Sequence, residues 1–515
     1  MIKERFMNKI EKLVFFIATL FLLFIIFLPA VYVLRYSFLA KNFFTPEAIK
    51  AILVSIEIGL LVTFIDVIFG LPLAWTLVKS KSTIVKLVDN LIDLSLVVPT
   101  AALGFSIYLY WGSRLGLAQL FGLETGIFSK GPILIILLHI VFTLPYMTKS
   151  IAASIAEIDF TYEQAALTLG ANFFTIFRTI FFPLFKDGII VGSILSFTRS
   201  LSETGATLMV AGAYMTAPVL IVGLKQAGQI SQAAGVSAVM IASAITILFL
   251  SKLLLRKKTY GFEKAYPRFE RSLLNLKMPK NIILALFFIF IFFLPSIYFI
   301  IFSLIRLDIS FSRLLLNSLI ISFMVAFVAT LVNLIFAVPL AYLIARNKYG
   351  LGNLFDSLSE VVLLVPTSAL GLSMVIFWQQ IFSYEMLILI FAHLSFTFPL
   401  IVMPITAAIR NIPLSLEEAS LSLGATKIKT FSAVILPLIK PALIAGLSMA
   451  FMRSLSETGA TLAVSNKIKT APVLIVELVK QGQVNQAAFT CMVLFIIVLI
   501  FLIILKYNKF SREIF

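Results

Sequence analysis

Long apolar runs alternate with short polar segments along the whole chain. A transmembrane helix needs about 20 mostly apolar residues, and runs of about this length recur about twelve times. In the first half they lie near residues 13–34, 51–78, 87–111, 132–156, 186–211 and 234–255. In the second half they lie near 281–305, 313–345, 358–382, 386–410, 440–465 and 486–506. The runs are too long, and too continuously apolar, for the short alternating strands of a membrane barrel. The pattern predicts an all-α polytopic membrane protein with about 12 transmembrane helices.

Two polar stretches interrupt this pattern at matching places. They read EQAALTLGANFFTIFRTIFFP at Glu163–Pro183 and EEASLSLGATKIKTFSAVILP at Glu417–Pro437. Both are too polar to cross a bilayer. The small residues and the glycine predict a short helix, a sharp turn and a second short helix over about 172–182 that ends at Pro183. A helix resting on lipid is the alternative interpretation, and the presence of two copies disfavours it.

Other landmarks also occur twice, so the two halves are repeats. LVVPTAALGFS at 96–106 corresponds to LLVPTSALGLS at 363–373, and His139 corresponds to His393. The separation between equivalent residues shrinks from the first landmark to the second, which predicts an insertion around Gly112–Gly131 in the first half. Because each half has an even number of spans, the repeats are expected to be parallel, related by an axis along the membrane normal.

These landmarks predict three regions. A first repeat covers 1–255, a basic cytoplasmic linker covers 256–280, and a second repeat covers 281–515.

Composition and charge agree with a membrane protein. The chain is 61% hydrophobic and only 13% charged, whereas a soluble protein carries roughly 25% charged residues. The net charge of +17 comes mostly from loops that the positive-inside rule places in the cytoplasm, so nucleic acid is not expected as a partner and membrane lipid is. The same rule predicts that both termini and both polar stretches are cytoplasmic. The first apolar run is longer than that of a signal peptide and is read as a retained span.

Both polar stretches resemble the EAA loop of ABC importer permeases. That pattern is Glu-Ala-Ala, three residues, Gly, nine residues and Ile-x-Leu-Pro. The first copy has Gln164 in place of the acid, with Glu163 one residue earlier, and the second has Ser420 in place of the second alanine. The resemblance covers most of both halves, because the order of the spans around each motif also fits. It implies that each stretch docks as a coupling helix into a cytoplasmic ATPase subunit or domain.

The residues assigned to ATPase coupling by this resemblance are Glu163, Gln164, Ala165, Ala166, Gly170, Glu417, Glu418, Ala419, Ser420 and Gly424. Glu163 and Glu417 are expected to pair with basic residues of the partner. The chain contains no G-x-x-x-x-G-K-[ST] phosphate-binding loop. ATP is therefore expected on two partner subunits, with no cofactor bound by this chain and no catalytic activity of its own.

A second duplicated motif is RSLSETGATL, identical at 199–208 and 453–462. Its Arg and Glu stand four residues apart and are predicted to share one helix face. A charge at the bilayer centre costs roughly 2.5–3.5 kcal/mol even on the lenient scale. The pair therefore either neutralises itself or faces the translocation path, and identity in both halves favours a position on the symmetry axis. The residues predicted to lie at the translocation path or its gate are Arg199, Glu203, Gly205, Arg453, Glu457 and Gly459.

Proline and glycine interrupt the third span of each half. Pro99 with Gly104, and Pro366 with Gly371, are candidate hinges or ordinary kinks.

Four further polar side chains fall within apolar runs. His139 and its counterpart in the second half are expected to make structural hydrogen bonds between helices rather than to relay protons. Glu57 and Asp66 have no obvious copies in the second half, where Phe323 and Val332 stand at about the equivalent places, and are candidates for an asymmetric site.

The resemblance predicts the permease of an ATP-driven importer in the cytoplasmic membrane of a prokaryote, supplied by an extracytoplasmic binding protein. The fused two-copy architecture resembles permeases for ferric iron and thiamine, whereas S-x-x-E-x-G-A-T resembles permeases for molybdate, tungstate and sulfate. Ferric iron is the leading expectation, and thiamine and an oxyanion are the alternatives. An ion-driven secondary transporter is the competing class. It gives no reason for the duplicated cytoplasmic helix.

Overall fold

The structure is a computed structural model, and it describes residues 9–39, 45–80, 82–255, 290–291, 294–306, 308, 312–346 and 352–507. Its regular elements throughout these ranges are helices. The predicted linker 256–280 lies outside the described residues, as do the ends of the chain.

The helices of the first repeat follow the predicted order, with short helices between the long ones. They are α1 (Lys9–Phe21), α2 (Leu28–Leu39), α3 (Pro46–Lys79), α4 (Thr83–Val97), α5 (Thr100–Ile107), α6 (Pro132–Ala156), α7 (Thr161–Thr168), α8 (Phe173–Ile176), α9 (Phe182–Ser202), α10 (Gly205–Val210), α11 (Ala217–Gln226) and α12 (Ile230–Leu255).

The second repeat has the same order. Its helices are α13 (Leu294–Ile305), α14 (Ser312–Ala345), α15 (Gly352–Leu364), α16 (Thr367–Trp378), α17 (Glu385–Asn411), α18 (Leu414–Ser422), α19 (Lys427–Thr430), α20 (Leu436–Leu455), α21 (Gly459–Val464), α22 (Ala471–Lys480) and α23 (Val484–Tyr507).

Within the described ranges, nine helices are long and apolar enough to cross a membrane, and two bent helix pairs bring the number to eleven if each pair is one span. This confirms the all-α polytopic class. The predicted span 281–305 is described continuously only from Leu294, where it forms the short apolar helix α13.

The third predicted span of each half, 87–111 and 358–382, is not one straight helix. In the first half α4 and α5 meet at an angle of 110°, and in the second α15 and α16 meet at 106°. The break falls at Pro99 and Pro366, which precede the first residue of the second helix of each pair. Proline lacks the N–H that a continuous helix needs and clashes with the preceding turn.

The predicted short helix over 172–182, ending at Pro183, is wrong. One helix runs through Phe174–Ser202, and its counterpart runs through Lys427–Leu455. A π-helical turn at Phe177–Phe181 precedes Pro183, which stands in the first turn of α9, where proline is tolerated. The polar stretch therefore leads directly into the fifth span, and only its first helix lies outside the spans.

The fifth spans also end earlier than predicted. The predicted limits were 211 and 465, but α9 ends at Ser202 and α20 at Leu455. Two short helices that the apolar pattern did not separate, α10 and α11, follow before the sixth span begins at Ile230. The duplicated motif lies at this break.

The first span of each repeat packs against the other repeat. Phe21 stacks on Phe336 with ring centroids 4.1 Å apart, and Tyr32 contacts Phe377 edge-on at 5.4 Å. In the opposite direction, the Tyr298 hydroxyl donates to the Leu115 carbonyl. The two main hydrophobic clusters accordingly each contain side chains from both halves of the chain.

Asp66 has a counterpart that the sequence comparison misplaced. The offset that pairs Pro72 with Pro339, each inside its long helix, pairs Asp66 with Asn333 and not with Val332. Both side chains are fully buried. Asn333 donates to the Leu394 carbonyl at 3.1 Å and to Thr397 Oγ1 at 2.9 Å, so in the second repeat this position joins α14 to α17. The first repeat has an acid there in place of the amide.

Candidate functional site: the polar stretches and the junction between the repeats

The first helix of each polar stretch ends as its glycine predicts. Gly170 has φ +83° and Gly424 has φ +85°, the left-handed region that favours glycine. The N–H of Gly170 donates to the Leu167 carbonyl at 3.0 Å, and that of Ala171 donates to Ala166 at 3.0 Å. The same bonds close the second copy. The turn directs the chain from α7, and from α18 in the second repeat, into the fifth span.

The start of α7 is held by Asp159, just before the helix. The Thr161 backbone N–H donates to Asp159 Oδ1 at 2.9 Å, which satisfies one of the free donors of the first turn. This hydrogen bond lowers the pKa of the exposed Asp159 carboxyl.

The first acid of each motif is bound within the chain, which corrects the expectation that it pairs with the partner. Glu417 accepts from Arg346 Nε at 2.8 Å and from the Tyr342 hydroxyl at 2.8 Å. Glu163 forms an ion pair with Lys79. Both basic residues stand at the ends of long spans, Lys79 in the last turn of α3 and Arg346 directly after α14.

The next residues of each motif are the ones that face outward. Gln164, Ala165, Glu418 and Ala419 are exposed, while Ala166 and Ser420 are half-buried. Large apolar side chains stand beside them, and Leu169 and Leu423 are 87% and 88% exposed. An apolar surface next to the motif in both repeats is the kind of patch that marks a contact with another protein.

The Arg and Glu residues of RSLSETGATL form ion pairs, although not on one helix. Arg199 Nη2 lies 2.8 Å from Glu203 Oε2, and Arg453 Nη1 lies 2.5 Å from Glu457 Oε2. The predicted shared helix face is wrong, because α9 ends at Ser202 and Glu203 has extended backbone. The acid lies in the break that follows the fifth span, and each pair neutralises itself there.

Each of these acids also caps the next short helix. Glu203 Oε1 accepts from the Ala206 N–H at 3.1 Å, and Glu457 Oε1 accepts from the Ala460 N–H at 3.0 Å. Thr367 donates to Glu457 Oε1 at 2.7 Å. A buried carboxylate is stable only when it is paired and hydrogen-bonded in this way.

The two RSLSETGATL motifs, 199–208 and 453–462, meet each other between the repeats, and this contact is the junction. A Cβ added to Gly205 would lie 2.3 Å from Thr458 Cβ, and one added to Gly459 would lie 2.7 Å from Thr204 Oγ1. The glycines are therefore needed for a close approach of the two repeats. This is the symmetric meeting place that the duplicated motif predicted.

The glycines of the candidate hinges pack against the RSLSETGATL motif of their own repeat. A Cβ added to Gly104 would lie 2.7 Å from Ala206 Cβ, and one added to Gly371 would lie 2.7 Å from the Ala460 carbonyl oxygen. The prolines mark the bends, whereas these glycines allow α5 and α16 to pack on the short helices of the junction. Movement at these bends stays a prediction.

The two histidines lie directly behind the junction. His139 Nδ1 is 2.7 Å from Ser200 Oγ and Nε2 is 3.0 Å from Thr207 Oγ1, and His393 makes the same contacts with Ser454 and Thr461. Each ring thus bridges the end of the fifth span to the short helix after it. The expected structural hydrogen bonds are present in both repeats.

Sequence reasoning missed one element of this site. Ser55 Oγ accepts from the Ala217 N–H at 2.7 Å, and Ser322 Oγ accepts from the Ala471 N–H at 2.8 Å. These bonds tie the long spans α3 and α14 to the segment that follows the junction. The signal was available, because the offset that relates Pro72 to Pro339 also relates the two serines.

Two segments of the chain match the family described as binding-protein-dependent transport system inner membrane component. The matched residues are 66–257 and 337–515, together more than half of the chain. Each match contains one polar stretch and one copy of the junction motif.

Individual relatives match about one repeat each. The chain is 34% identical over 216 residues to the molybdenum transport system permease protein ModB of Escherichia coli K12, which covers 40% of this chain and 93% of that protein. It is 29% identical over 269 residues to a probable sulfate transport system permease protein of Marchantia polymorpha, covering 50% of this chain and 93% of that protein. Less than half of the chain therefore accounts for nearly all of the molybdenum permease, as expected for two copies in one polypeptide.

Proposed function

Because the chain belongs to the family of inner membrane components of binding-protein-dependent transport systems, we propose that it is a two-repeat permease of an ATP-driven oxyanion importer. Its role as a multi-pass membrane permease follows from the family. The oxyanion, the partner subunits and the orientation of the termini are the proposal.

The substrate proposal rests on the relatives. Those described above are named for molybdenum and sulfate transport, and molybdate and sulfate are both tetrahedral oxyanions. The relatives do not support ferric iron, the leading expectation from the sequence, and they favour the oxyanion alternative. We therefore propose molybdate or sulfate, delivered by an extracytoplasmic binding protein.

The coupling proposal rests on the duplicated α7 and α18. Two cytoplasmic ATPase subunits would each receive one of these helices, with Gln164 and Glu418 exposed at the contact and Leu169 and Leu423 beside them. Closure of the ATPase dimer on ATP would draw the two helices together. The repeats would then rock about the junction and open it to the outside.

The transport path is proposed to run along the contact between the repeats. Gly205 and Gly459 allow the two junction motifs to approach closely there. The Arg–Glu pairs leave no net charge on either motif. Such a contact acts as a seal. It must separate when the solute passes.

The first experiment measures uptake in the native host with the gene for this chain deleted. Radiolabelled molybdate and sulfate are offered separately, with excess unlabelled ferric citrate as a control competitor. We expect the uptake of at least one oxyanion to be lost on deletion and restored by the intact chain. Unchanged uptake of both ions would contradict the substrate proposal.

A second arm tests the energy source. A protonophore should leave uptake largely intact, whereas ATP depletion should abolish it. Uptake that is lost with the protonophore and survives ATP depletion would instead establish an ion-driven secondary transporter.

The coupling contact is tested with Gly170→Arg and Gly424→Arg combined. Neither glycine has a neighbour within 4 Å of an added Cβ, so an arginine there disturbs the turn and the outer surface rather than the core. We expect the ATPase partner to be lost on co-purification, together with solute-stimulated ATP hydrolysis. Undiminished stimulation in the double variant would refute the docking contact.

A further inference from the structure

The ion pairs Glu163–Lys79 and Glu417–Arg346 stand at equivalent places in the two repeats. The offset that relates Ser55 to Ser322 also relates Lys79 to Arg346, and each pair joins a coupling helix to the end of the second span of its repeat. Aromatic side chains one turn earlier support both pairs. The Lys79 ammonium lies 5.5 Å from the centroid of the Trp75 ring, and the residue equivalent to Trp75, Tyr342, donates to Glu417.

The second spans reach from these ion pairs to the neighbourhood of the junction. The helix α3 has 34 residues and no break, so it is about 50 Å long at 1.5 Å per residue. From Lys79 to Ser55 is about 36 Å along the same helix. Ser55 then binds the N–H of Ala217, the first residue after the loop that follows the junction helix. The second repeat has the same arrangement, from Arg346 to Ser322 and Ala471.

We propose that these two ion pairs are the links through which movement of the coupling helices is passed to the second spans, and through them to the junction. The proposal rests on the proposed function. Rigid elements joined by specific contacts can carry coupling between distant sites, and each repeat has a coupling helix, an ion pair, an unbroken span and a hydrogen bond near its far end. The first acid of each motif therefore transmits force within the chain, whereas the residue after it is exposed to the partner.

The two links differ in strength. The Glu417–Arg346 pair is almost fully buried, with side chains 10% and 8% exposed, whereas Glu163 and Lys79 are 21% and 32% exposed. Arg346 also donates to the Ile412 carbonyl at 3.1 Å. Lys79 instead lies 3.9 Å from the centroid of the Phe160 ring. A buried, multiply hydrogen-bonded pair holds one geometry better than a partly exposed one, so the second repeat is the more tightly coupled.

The test uses the full complex of this chain with its ATPase partner, isolated from the native host and reconstituted in proteoliposomes with its binding protein. The measured quantity is ATP hydrolysed per molybdate or sulfate taken up. The variants are Glu163→Gln, Glu417→Gln and both together. Asp356→Asn is the matched control, because it breaks a partly exposed ion pair with Arg410 that does not involve a coupling helix.

In the double variant we expect the ATPase to remain bound while the ATP used per ion rises about fivefold or more. Glu417→Gln should change the ratio more than Glu163→Gln, and Asp356→Asn should leave it unchanged. Exchange of the charges, Lys79→Glu with Glu163→Lys, should restore the ratio that Glu163→Gln disturbs. A merely structural role would alter the amount of folded protein and leave this ratio constant.

A wild-type ratio in the assembled double variant would overturn the proposal and leave the proposed function standing. If the double variant fails to assemble, the single variant Glu163→Gln decides, and a wild-type ratio in that variant is equally fatal. If the wild-type complex itself shows no ATP-dependent uptake, the proposed function is wrong and the link falls with it.

Discussion

At the scale of single residues, the junction depends on the absence of side chains. Gly205 and Gly459 are each opposed by a threonine of the other repeat, at distances that leave no room for a methyl group. The charges beside this close contact are neutralised, because Arg199 and Arg453 are each paired with the glutamate that caps the next helix. An identical motif in both halves is what a contact between two equivalent surfaces requires.

Gly205→Ala should weaken this contact. Its new Cβ would lie 2.3 Å from Thr458 Cβ, and overpacking of this kind typically costs about 1–3 kcal/mol. We expect a lower melting temperature in detergent and reduced uptake. Adding Thr458→Gly removes the opposing atom and should recover part of the loss.

The control for this prediction is Gly223→Ala. Gly223 lies inside α11 with no neighbour within 4 Å of an added Cβ, so the same substitution should be neutral or slightly stabilising. Equal melting temperatures for the Gly205 and Gly223 variants would contradict the close-contact interpretation.

At the scale of elements, the bent third spans and the unbroken second spans make different contacts. The third spans bend sharply at Pro99 and Pro366, whereas α3 and α14 run for 34 residues each despite an internal proline. Apolar periodicity does not distinguish these cases, since both appear as long apolar runs. The unbroken helices connect the polar stretches to the segments after the junction, and the bent ones pack against it.

Ser55→Ala tests the hydrogen bond at the far end of α3. It would leave the buried Ala217 N–H without its partner, and an unsatisfied buried donor costs about 1–3 kcal/mol. We expect a lower melting temperature, and the same from Ser322→Ala in the second repeat.

Ser106→Ala is the matched control for these variants. Ser106 is also buried, but its hydroxyl donates only to the Leu103 carbonyl of its own helix. If Ser106→Ala lowered the melting temperature as much as Ser55→Ala, the hydrogen bond to α11 would not be the cause of the lower stability.

At the scale of the whole molecule, the repeats are not independent units. The first span packs on the second repeat through Phe21 and Tyr32, and Tyr298 of the second repeat reaches back to Leu115. The predicted linker 256–280 therefore separates the two repeats in the sequence. In the folded protein, the first span of each repeat packs against the other repeat. Fusion of two copies keeps these partners together in one chain.

Separate expression of residues 1–255 and 281–515 tests this exchange. Each half alone would expose the aromatic rings that pack against the other repeat in the intact chain. Each lost aromatic pair is worth about 0.5–1.5 kcal/mol beyond its buried area. We expect each half alone to aggregate or be degraded, and the two halves to co-purify when they are expressed together.

Size-exclusion chromatography of the tagged first half gives the measurement, with the intact chain as the control. A monodisperse first half that melts at the temperature of the intact chain would argue against the exchange.

The sequence alone determined that the chain is an all-α membrane protein of two repeats, approximately where its spans lie, and where the two duplicated motifs stand. These properties are local, because every helix in lipid must satisfy its own backbone and present apolar side chains over about 20 residues. The glycine turn at Gly170 was predictable for the same reason.

Only the tertiary structure decided which groups meet. It assigned Glu163 to Lys79 and Glu417 to Arg346 rather than to a partner protein, placed Gly205 against Thr458, and packed the first span on the opposite repeat. These contacts join residues far apart in the chain, and no apolar period encodes them. The pattern of side chains along a helix indicates which of its positions must be buried or paired. The tertiary structure decides which residues bury them or pair with them.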